Sequence, residues 1–224
     1  MKVKFCGITN LEDARQAARL GAWAIGLNHH PQSPRFCPPD VAVEIAAELR
    51  RQLEVVGVFV DPTLDAVAAA AENGSLTMLQ LHGGEGPAFC REAGRRTGCK
   101  VIKALRVRST ADIRAAEAYR TDLHLLDAYR PGQPGGTGES FDWELLSGRK
   151  SAVPLILAGG LTPGNVGEAI AAARPYAVDV ASGVEASPGI KDHDLMAEFA
   201  ERAHAAAGTG GEEAVSGAEL ERGV

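Results

Sequence analysis

Residues 153–184 read VPLILAGGLTPGNVGEAIAAARPYAVDVASGV and contain one complete copy of the pattern that decides the fold. Two short runs, Val153–Ala158 and Ala177–Ala181, are rich in apolar residues and show little polar alternation. Such runs are typical of parallel strands that are buried on both faces. The segment between them, 163–173, is helical in character. A strand, a helix and a second strand in this order predict a unit with two parallel strands and a helical crossover.

The same alternation extends outward through the rest of the chain. Six more strand-like runs precede the quoted stretch: Val3–Cys6, Trp23–Leu27, Val55–Val60, Leu76–Leu81, Lys100–Ala104 and Leu123–Asp127. The helical segments are 10–20, 38–52, 62–72, 86–97, 110–119, 141–147, 163–173 and 192–205. Eight strands that alternate with eight helices predict an α/β fold, a single compact (β/α)8 TIM barrel over residues 1–205. An open flavodoxin-like or Rossmann sheet is the alternative, but eight repeats exceed what it needs.

Local start signals support the helix predictions. Thr9-x-x-Glu12 has the pattern of a capping box, and Ser109-x-x-Asp112 is a weaker relative of it. Asp61-Pro62 and Thr162-Pro163 each place a capping side chain before a proline. Proline at the first helical position is a common helix start, so helices are expected to begin at these four places.

The last residues differ in composition from the rest of the chain. Segment 206–224 contains five glycines and four glutamates but no aromatic residue. A segment of this kind buries too little apolar surface to offset the entropy of ordering. We therefore expect 206–224 to be a short, flexible, acidic tail outside the barrel.

The overall composition excludes several classes of function. The chain has 224 residues and a formal net charge of −6, with 45% hydrophobic and 23% charged residues, as in an ordinary soluble globular protein. No apolar run approaches the ~18–20 residues of a membrane span, and the N-terminus lacks the apolar core of a signal peptide. The acidic balance and the absence of Lys/Arg clusters argue against a nucleic-acid partner. We expect a cytoplasmic protein without membrane or nucleic-acid partners.

The four cysteines, Cys6, Cys37, Cys90 and Cys99, form no C-x-x-C pair. This spacing indicates neither a zinc site nor a disulfide scaffold. We therefore expect reduced thiols and no bound metal. Three of the four are interpreted as small buried apolar residues, and Cys6 stands apart because it ends the first predicted strand.

In a barrel, functional groups lie at the carboxyl ends of the strands and in the loops that follow. The unusual polar residues of this chain fall at these places: Cys6, Asn28, Arg35, His82, Arg106 and Asp127. Small residues follow the last two strands, Gly159 and Gly160 in one loop and Ser182 and Gly183 in the other. Small residues let backbone N–H groups approach an anion closely. These two loops are therefore predicted to bind a phosphate group.

An ordered set of motifs resembles one known enzyme family. The motifs are KFCGIT (4–9), SPR (33–35), GVFV (57–60), QLHG (80–83), IKA (102–104), LDA (126–128), GGTG (135–138) with FDW (141–143), LAGGL with NV (157–166), VDV with SGVE (178–185) and SPGIKD (187–192). They occur in the family's order and run from Lys4 to about Phe199. The chain is similar to phosphoribosylanthranilate isomerase.

This resemblance implies an Amadori rearrangement in L-tryptophan biosynthesis. The substrate, N-(5-phosphoribosyl)anthranilate, becomes 1-(2-carboxyphenylamino)-1-deoxyribulose 5-phosphate. The enzyme would be an aldose–ketose isomerase, an intramolecular oxidoreductase that needs no cofactor and no metal. The family's general base corresponds to Cys6 and its general acid to Asp127. The expected partner is the small phosphosugar substrate, and the expected assembly is a monomer or a homodimer.

Three other residues carry predicted roles at this site. The guanidinium fork of Arg35 suits the anthranilate carboxylate of the substrate. His82 either orients the substrate or bonds to backbone carbonyls. Lys4 lies two residues before Cys6 on the same strand face. It either places positive charge beside the thiol or forms an ion pair inside the barrel.

Two segments need separate interpretation. The loop 26–31 reads GLNHHP, where the family more often carries aromatic or aliphatic residues, so the wall around the anthranilate ring is expected to differ. Two adjacent histidines rarely point at one metal ion, and no metal site is predicted here. The glycine-dense loop 132–138 is predicted to act as a lid during proton transfer.

Three alternative functions stay open on the sequence alone. A Schiff-base aldolase on the same barrel would use Lys103 as nucleophile. Another phosphosugar isomerase would share the phosphate site without needing Arg35. A non-catalytic barrel that only binds a phosphate ligand would not need Cys6.

Overall fold

A computed structural model describes residues 1–127, 146, 149 and 151–208. Eight parallel strands close into a barrel in sequence order, so the predicted (β/α)8 TIM barrel is confirmed. The strands are β1 (Lys2–Cys6), β2 (Ala24–Asn28), β3 (Glu54–Phe59), β4 (Met78–Leu81), β5 (Lys100–Arg106), β6 (Leu123–Asp127), β7 (Leu155–Ala158) and β8 (Ala177–Val180).

Seven helices are described around this barrel. They are α1 (Leu11–Arg19), α2 (Pro39–Leu49), α3 (Leu64–Gly74), α4 (Pro87–Thr97), α5 (Thr110–Ala116), α6 (Val166–Ala173) and α7 (His193–Gly208). The helix predicted over 141–147, the predicted lid 132–138 and residues 209–224 of the predicted tail lie outside the described residues. α7 continues through Gly208, three residues past the helix end predicted at 205. None of the described helices combines the length and apolar character of a membrane span.

The barrel closes between β1 and β8, where Lys4 lies opposite Asp179. Side chains alternate between the two faces of a strand. Alternate residues of the strands fill the barrel interior: Ala24, Val56, Met78, Ile102, Ala104, Leu123, Leu125, Ile156, Ala158 and Ala177. On β1, Phe5 faces outward and packs against Phe199 of α7 with ring centroids 6.3 Å apart. Lys4 and Cys6, on either side of Phe5, therefore face the interior.

A short hairpin that the sequence did not predict follows β8. After a 3₁₀ turn over Ser182–Val184, strands β9 (Glu185–Ser187) and β10 (Ile190–Lys191) pair antiparallel. The hydroxyl of Thr9 donates to the Gly189 carbonyl at 2.5 Å, which joins the hairpin to the loop after β1. The hairpin thereby carries additional charged residues to the carboxyl end of the barrel.

One of the two predicted capping boxes is confirmed. The Ser109 backbone N–H donates to Asp112 Oδ2 at 2.9 Å at the start of α5. The other is wrong, because Asn10 and not Thr9 is the N-cap of α1. The Asn10 side chain accepts from the Asp13 N–H at 2.8 Å. Thr9 is instead engaged by the hairpin.

Candidate active site

The structure places all predicted site residues at the carboxyl end of the barrel. They are, in chain order, Cys6, Arg35, His82, Asp127, Gly159, Gly160, Ser182 and Gly183. Cys6 and Asp127 are the final residues of β1 and β6. Because all eight strands run parallel, these residues share one rim of the barrel although they are far apart in the sequence.

Cys6 lies in a closely packed part of the barrel interior. It pairs with Gly26 of β2. A Cβ atom at Gly26 would lie 2.7 Å from Cys6 Sγ and 3.2 Å from Lys4 Nζ, so glycine leaves the space that both groups occupy. Burial raises the pKa of Cys6, and the positive charges of Lys4 and Lys191 oppose that rise without cancelling it. The free protein therefore holds Cys6 as a thiol at neutral pH.

Lys4 forms a buried ion pair across the closure of the barrel. Its Nζ lies 2.7 Å from Asp179 Oδ1, and the two side chains are 0% and 9% exposed. Burial alone would lower the pKa of Lys4, but the negative charge of Asp179 and the side-chain hydrogen bonds to Asp179 and to the Cys6 sulfur outweigh burial and raise it. Both roles considered for Lys4 therefore hold together, since it is an interior ion-pair partner and also a cation beside the thiol.

His82 and Asp127 approach each other at the mouth of the barrel. The distance from His82 Nε2 to Asp127 Oδ2 is 3.6 Å, and His82 Nδ1 lies 3.3 Å from Gln80 Nε2. Within the described part of the chain, the buried Nε2 atom makes no hydrogen bond, and the hydrogen-bond partner of Nδ1 is the Gln80 side chain. A buried polar atom of this kind is suited to a ligand or to proton exchange with its neighbour.

Arg35 is held by an acidic residue that the sequence analysis did not single out. Its Nε and Nη2 atoms donate to Oε1 and Oε2 of Glu185 at 2.8 and 2.7 Å. Lys191 Nζ donates to the same carboxylate at 2.9 Å. Gly7, with φ of +75°, leaves room for the Arg35 side chain, because a Cβ atom at Gly7 would lie 2.6 Å from Arg35 Cδ. Both charged residues lie within the SGVE and SPGIKD motifs, but only the hairpin brings them to Arg35.

The two loops predicted to bind phosphate lie against each other. Gly159 and Gly160 have φ angles of 98° and 64°, in the region that favours glycine. A Cβ atom at Gly183 would lie 1.9 Å from the Leu161 carbonyl oxygen, so only glycine permits this contact between the loops. Ser182 opens the 3₁₀ turn that follows β8. The sequence therefore brings small residues from both loops to one place.

The Asn28-His29-His30 segment forms a structured turn. Asn28 Nδ2 donates to Ser33 Oγ at 3.0 Å, and Asn28 Oδ1 accepts from the His30 N–H at 2.8 Å. The His29 ring stacks on Phe59 with centroids 4.8 Å apart, and burial lowers the pKa of His29. The segment therefore stacks a neutral His29 ring on Phe59 at the carboxyl ends of β2 and β3.

All four cysteines are free thiols. In the described ranges, no group of three or more His, Cys, Asp or Glu side chains has an arrangement that could hold a metal ion.

Lys103 points out of the barrel interior. Its neighbours Ile102 and Ala104 fill the interior, so Lys103 points towards the helices. Its Nζ lies 2.7 Å from Glu85 Oε2 and donates to the Gly83 carbonyl at 2.8 Å. A Schiff-base lysine must reach the substrate with a free amine. The structure therefore contradicts the aldolase alternative.

Comparison with known proteins identifies the family. The sequence profile of N-(5'phosphoribosyl)anthranilate (PRA) isomerase matches residues 3–202. The chain belongs to the PRA isomerase family. The N-(5'-phosphoribosyl)anthranilate isomerase of Geobacter sp. strain M21 is 48% identical over 198 residues, which are 88% of this chain and 95% of the relative. The Acidithiobacillus ferrooxidans protein is 50% identical over 204 residues, 90% of this chain and 97% of the relative.

Solved structures of PRA isomerases share the fold. The Thermotoga maritima enzyme superposes with a TM-score of 0.84 at 42% identity, over 92% of this chain and 99% of that chain. A PRA isomerase in complex with reduced 1-(o-carboxyphenylamino)-1-deoxyribulose 5-phosphate gives a TM-score of 0.80 at 39% identity, over 92% and 99% of the two chains. A third structure, of monomers generated from the dimeric T. maritima enzyme, gives 0.80 at 40% identity with the same coverage.

Proposed function

We propose that the chain is a phosphoribosylanthranilate isomerase of tryptophan biosynthesis. It converts N-(5-phosphoribosyl)anthranilate to 1-(2-carboxyphenylamino)-1-deoxyribulose 5-phosphate, an aldose-to-ketose isomerisation. The family match over residues 3–202 carries this assignment. The barrel supports it by presenting a thiol at the end of β1 and a carboxyl at the end of β6.

The reaction requires one proton donor and one proton acceptor. In the proposed mechanism, Asp127 donates a proton to the furanose ring oxygen, the ring C–O bond breaks, and an iminium forms at C1. Cys6 then removes the proton from C2, and the electron pair of the C2–H bond forms a C1=C2 double bond, which gives an enamine that carries the hydroxyl on C2. In the tautomerisation that follows, the C2 hydroxyl loses its proton and C1 gains one, so that a ketone forms at C2. Each step only transfers protons and shifts electron pairs within the substrate, so the mechanism assigns no cofactor and no metal ion.

Cys6 must become a thiolate before it can accept the C2 proton. The cation of Lys4 favours the thiolate, whereas burial opposes it. A base whose pKa lies above neutrality is a strong proton acceptor once it is ionised. We therefore assign Lys4 as the residue that stabilises the thiolate, with Asp179 holding it in place at 2.7 Å.

Substrate recognition is assigned to the two ends of the molecule that carry charge. Backbone N–H groups around Gly159, Gly160, Ser182 and Gly183 bind the phosphate. Arg35 binds the anthranilate carboxylate. His82 orients the substrate beside Asp127, 3.6 Å away. The product analogue bound by the related enzyme carries both a carboxylate and a phosphate, which fits this division.

The expected assembly is a monomer or a homodimer, in line with a T. maritima relative described as dimeric. A cytoplasmic location, expected from the composition, completes the proposal.

The test is turnover of freshly made phosphoribosylanthranilate, followed by the loss of anthranilate-type fluorescence. The wild-type protein should consume the substrate. Cys6→Ala and Asp127→Asn should each lower kcat by at least about a hundredfold, the low end of the contribution of one acid–base group. Cys99→Ala is the matched control and should keep wild-type turnover. Cys99 is a partly buried free thiol that directly precedes the amino end of β5, whereas the proposed site lies at the carboxyl ends of the strands.

Near-wild-type turnover in either site variant would remove that residue from its assigned role. A folded wild-type protein that does not consume the substrate would overturn the assignment of activity and leave a phosphate-binding barrel.

A further inference from the structure

We infer that Glu185 is a positioning residue that fixes the Arg35 guanidinium for recognition of the substrate carboxylate. The inference rests on the proposed function, because it concerns how the same site reads the anthranilate end of its substrate. It adds a role for an acidic residue at a site whose ligand carries two anionic groups, a carboxylate and a phosphate.

The contact between the two side chains is bidentate. Arg35 Nε and Nη2 donate to the two carboxylate oxygens of Glu185 at 2.8 and 2.7 Å. A fork of this kind fixes the guanidinium plane as well as its position. Within the described residues, Nη1 makes no hydrogen bond, so the edge of the guanidinium opposite Glu185 is available to a second carboxylate. The Arg35 side chain is 27% exposed, which leaves it accessible from the mouth of the barrel.

Glu185 is itself firmly held. Its side chain is 5% exposed, and Lys191 Nζ lies 2.9 Å from Oε1. Lys191, with a side chain that is 0% exposed, also donates to the carbonyl oxygens of Cys6 at 2.7 Å and Ala181 at 3.1 Å. One ammonium group therefore links the carboxylate to the backbone of the proposed base and to the loop before Ser182.

The charge balance of this cluster favours a permanent clamp. Burial would raise the pKa of Glu185, but its hydrogen bonds from Arg35 and the charge of Lys191 outweigh burial and lower it. Glu185 is thus ionised, and its carboxylate lies between two cations. The cluster of Arg35, Glu185 and Lys191 carries one net positive charge, which is the charge needed to bind one substrate carboxylate.

A competing interpretation makes the opposite prediction. If Glu185 occupied the place of the substrate carboxylate, it would have to leave Arg35 when the substrate binds, and its removal would tighten binding. The anchoring of Glu185 by Lys191 and its place in the β9–β10 hairpin argue against such a displacement.

The first experiment measures kcat and KM of Glu185→Gln, which keeps the size of the side chain and removes its charge. We expect KM to rise at least about tenfold, the loss of one charge-assisted hydrogen bond, while kcat changes less than about threefold. Glu48→Gln is the matched control, because Glu48 makes the same bidentate contact with Arg15 on an exposed surface, at 2.6 and 2.7 Å. The control should keep both constants.

The second experiment measures affinity for two ligands, reduced 1-(o-carboxyphenylamino)-1-deoxyribulose 5-phosphate and its analogue without the carboxylate. Glu185→Gln should weaken binding of the carboxylated ligand about tenfold and leave binding of the analogue unchanged, because both ligands use the same phosphate loops. A general structural defect would weaken both. Equal losses for the two ligands, or tighter binding of the carboxylated ligand, would overturn the inference.

A double variant tests whether Glu185 acts through Arg35. The KM of Arg35→Ala/Glu185→Gln should equal that of Arg35→Ala alone, because the clamp has nothing left to hold. Additive effects would overturn the inference. If Arg35→Ala raises KM but Glu185→Gln does not, the clamp is wrong and the proposed carboxylate contact stands. If Arg35→Ala leaves KM unchanged, the proposed contact fails and the clamp fails with it.

Discussion

Cys6 combines burial with two nearby cations, and these influences on its ionisation oppose each other. Burial raises the pKa of the thiol, and Lys4 and Lys191 only reduce the rise. Each cation has its own carboxylate, Asp179 for Lys4 and Glu185 for Lys191. Because these carboxylates neutralise much of the positive charge, the resting site contains a protonated thiol that is a strong base after ionisation.

The ionisation of Cys6 can be measured directly. Since a raised pKa favours the protonated form, the thiolate should be a minor species at neutral pH and increase as the pH rises through the alkaline range. Ultraviolet absorbance of the thiolate in wild type, with the titration of Cys6→Ala subtracted, isolates this group from the other three cysteines. The value of kcat/KM should rise along the same curve, because it reports ionisation in the free enzyme. A Cys6 thiolate signal at neutral pH would contradict the prediction.

At the scale of loops and helices, the contact between the loops after β7 and β8 sets the shape of the proposed phosphate site. The backbone of Gly183 lies so close to Leu161 that any side chain would push the loops apart. Gly159 and Gly160 adopt positive φ angles in the facing loop. The glycines therefore allow the two loops to lie in contact, and the proposed phosphate site uses backbone from both loops.

Gly183→Ala should raise KM for the substrate at least about tenfold, a loss of ~1.4 kcal/mol of binding free energy. The reason is steric, since the new Cβ atom would lie 1.9 Å from the Leu161 carbonyl oxygen. Gly164→Ala, in the facing loop after β7, is the control, because its Cβ atom would lie 3.6 Å from Thr162 Oγ1, an ordinary contact. Steady-state kinetics and inhibition by inorganic phosphate measure the effect. An unchanged KM in folded Gly183→Ala would show that the loop spacing is not critical.

Helix starts show how tertiary contacts modify local signals. The predicted start at Asp61-Pro62 is wrong, because α3 uses Thr63 as its N-cap, with the Ala66 N–H donating to Thr63 Oγ1 at 3.1 Å. Asp61 instead accepts from the Gly84 N–H at 2.6 Å and so joins the loop after β3 to the loop after β4. The start predicted at Thr162-Pro163 is also wrong, since α6 begins at Val166. The Asp61 side chain thus joins two loops and does not cap α3.

At the scale of the whole molecule, the Lys4–Asp179 pair lies where the first and last strands close the barrel. Breaking a buried ion pair costs much more than replacing both of its partners, because one charge is left without compensation. The same pair supplies the cation beside Cys6. The proposed role of Lys4 beside Cys6 therefore couples stability to activity at this closure.

Lys4→Met should lower the free energy of unfolding by about 3–5 kcal/mol, since it leaves Asp179 charged and buried. The double variant Lys4→Met/Asp179→Leu should recover most of that loss but not the activity, because the cation near Cys6 is still missing. Urea unfolding and turnover of the two variants provide the measurements. A double variant that is as unstable as the single one would mean that packing, and not charge, limits this position.

Much of the fold followed from local patterns in the sequence. The apolar runs predicted all eight barrel strands to within a few residues, because parallel strands buried on both faces must be apolar throughout. Strand ends then indicated the rim residues, including Cys6 and Asp127, because a (β/α)8 barrel has a single functional end. The order of the motifs along the chain is enough to indicate the family without any knowledge of tertiary contacts.

The same apolar runs concealed which way each side chain points. A strand buried on both faces has no alternation of polarity, and a shift of one residue turns every side chain to the other face. The position of Lys103 near the end of a predicted strand makes it a candidate nucleophile on the sequence alone, although it pairs with Glu85 on the helical side of the barrel. Register alone separates it from Lys4, which faces the interior.

The sequence by itself determined the strands, their order, the functional rim and the family, since these depend on local composition and on motif order. Only the tertiary structure decided which charged groups meet: Lys4 with Asp179, Arg35 with Glu185, and His82 beside Asp127. Barrel closure brings Lys4 to Asp179, the β9–β10 hairpin brings Glu185 to Arg35, and the parallel order of β4, β5 and β6 brings His82 near Asp127. The physical reason is that electrostatic interactions depend on distance in space, which the closure of the barrel sets and which no local pattern encodes.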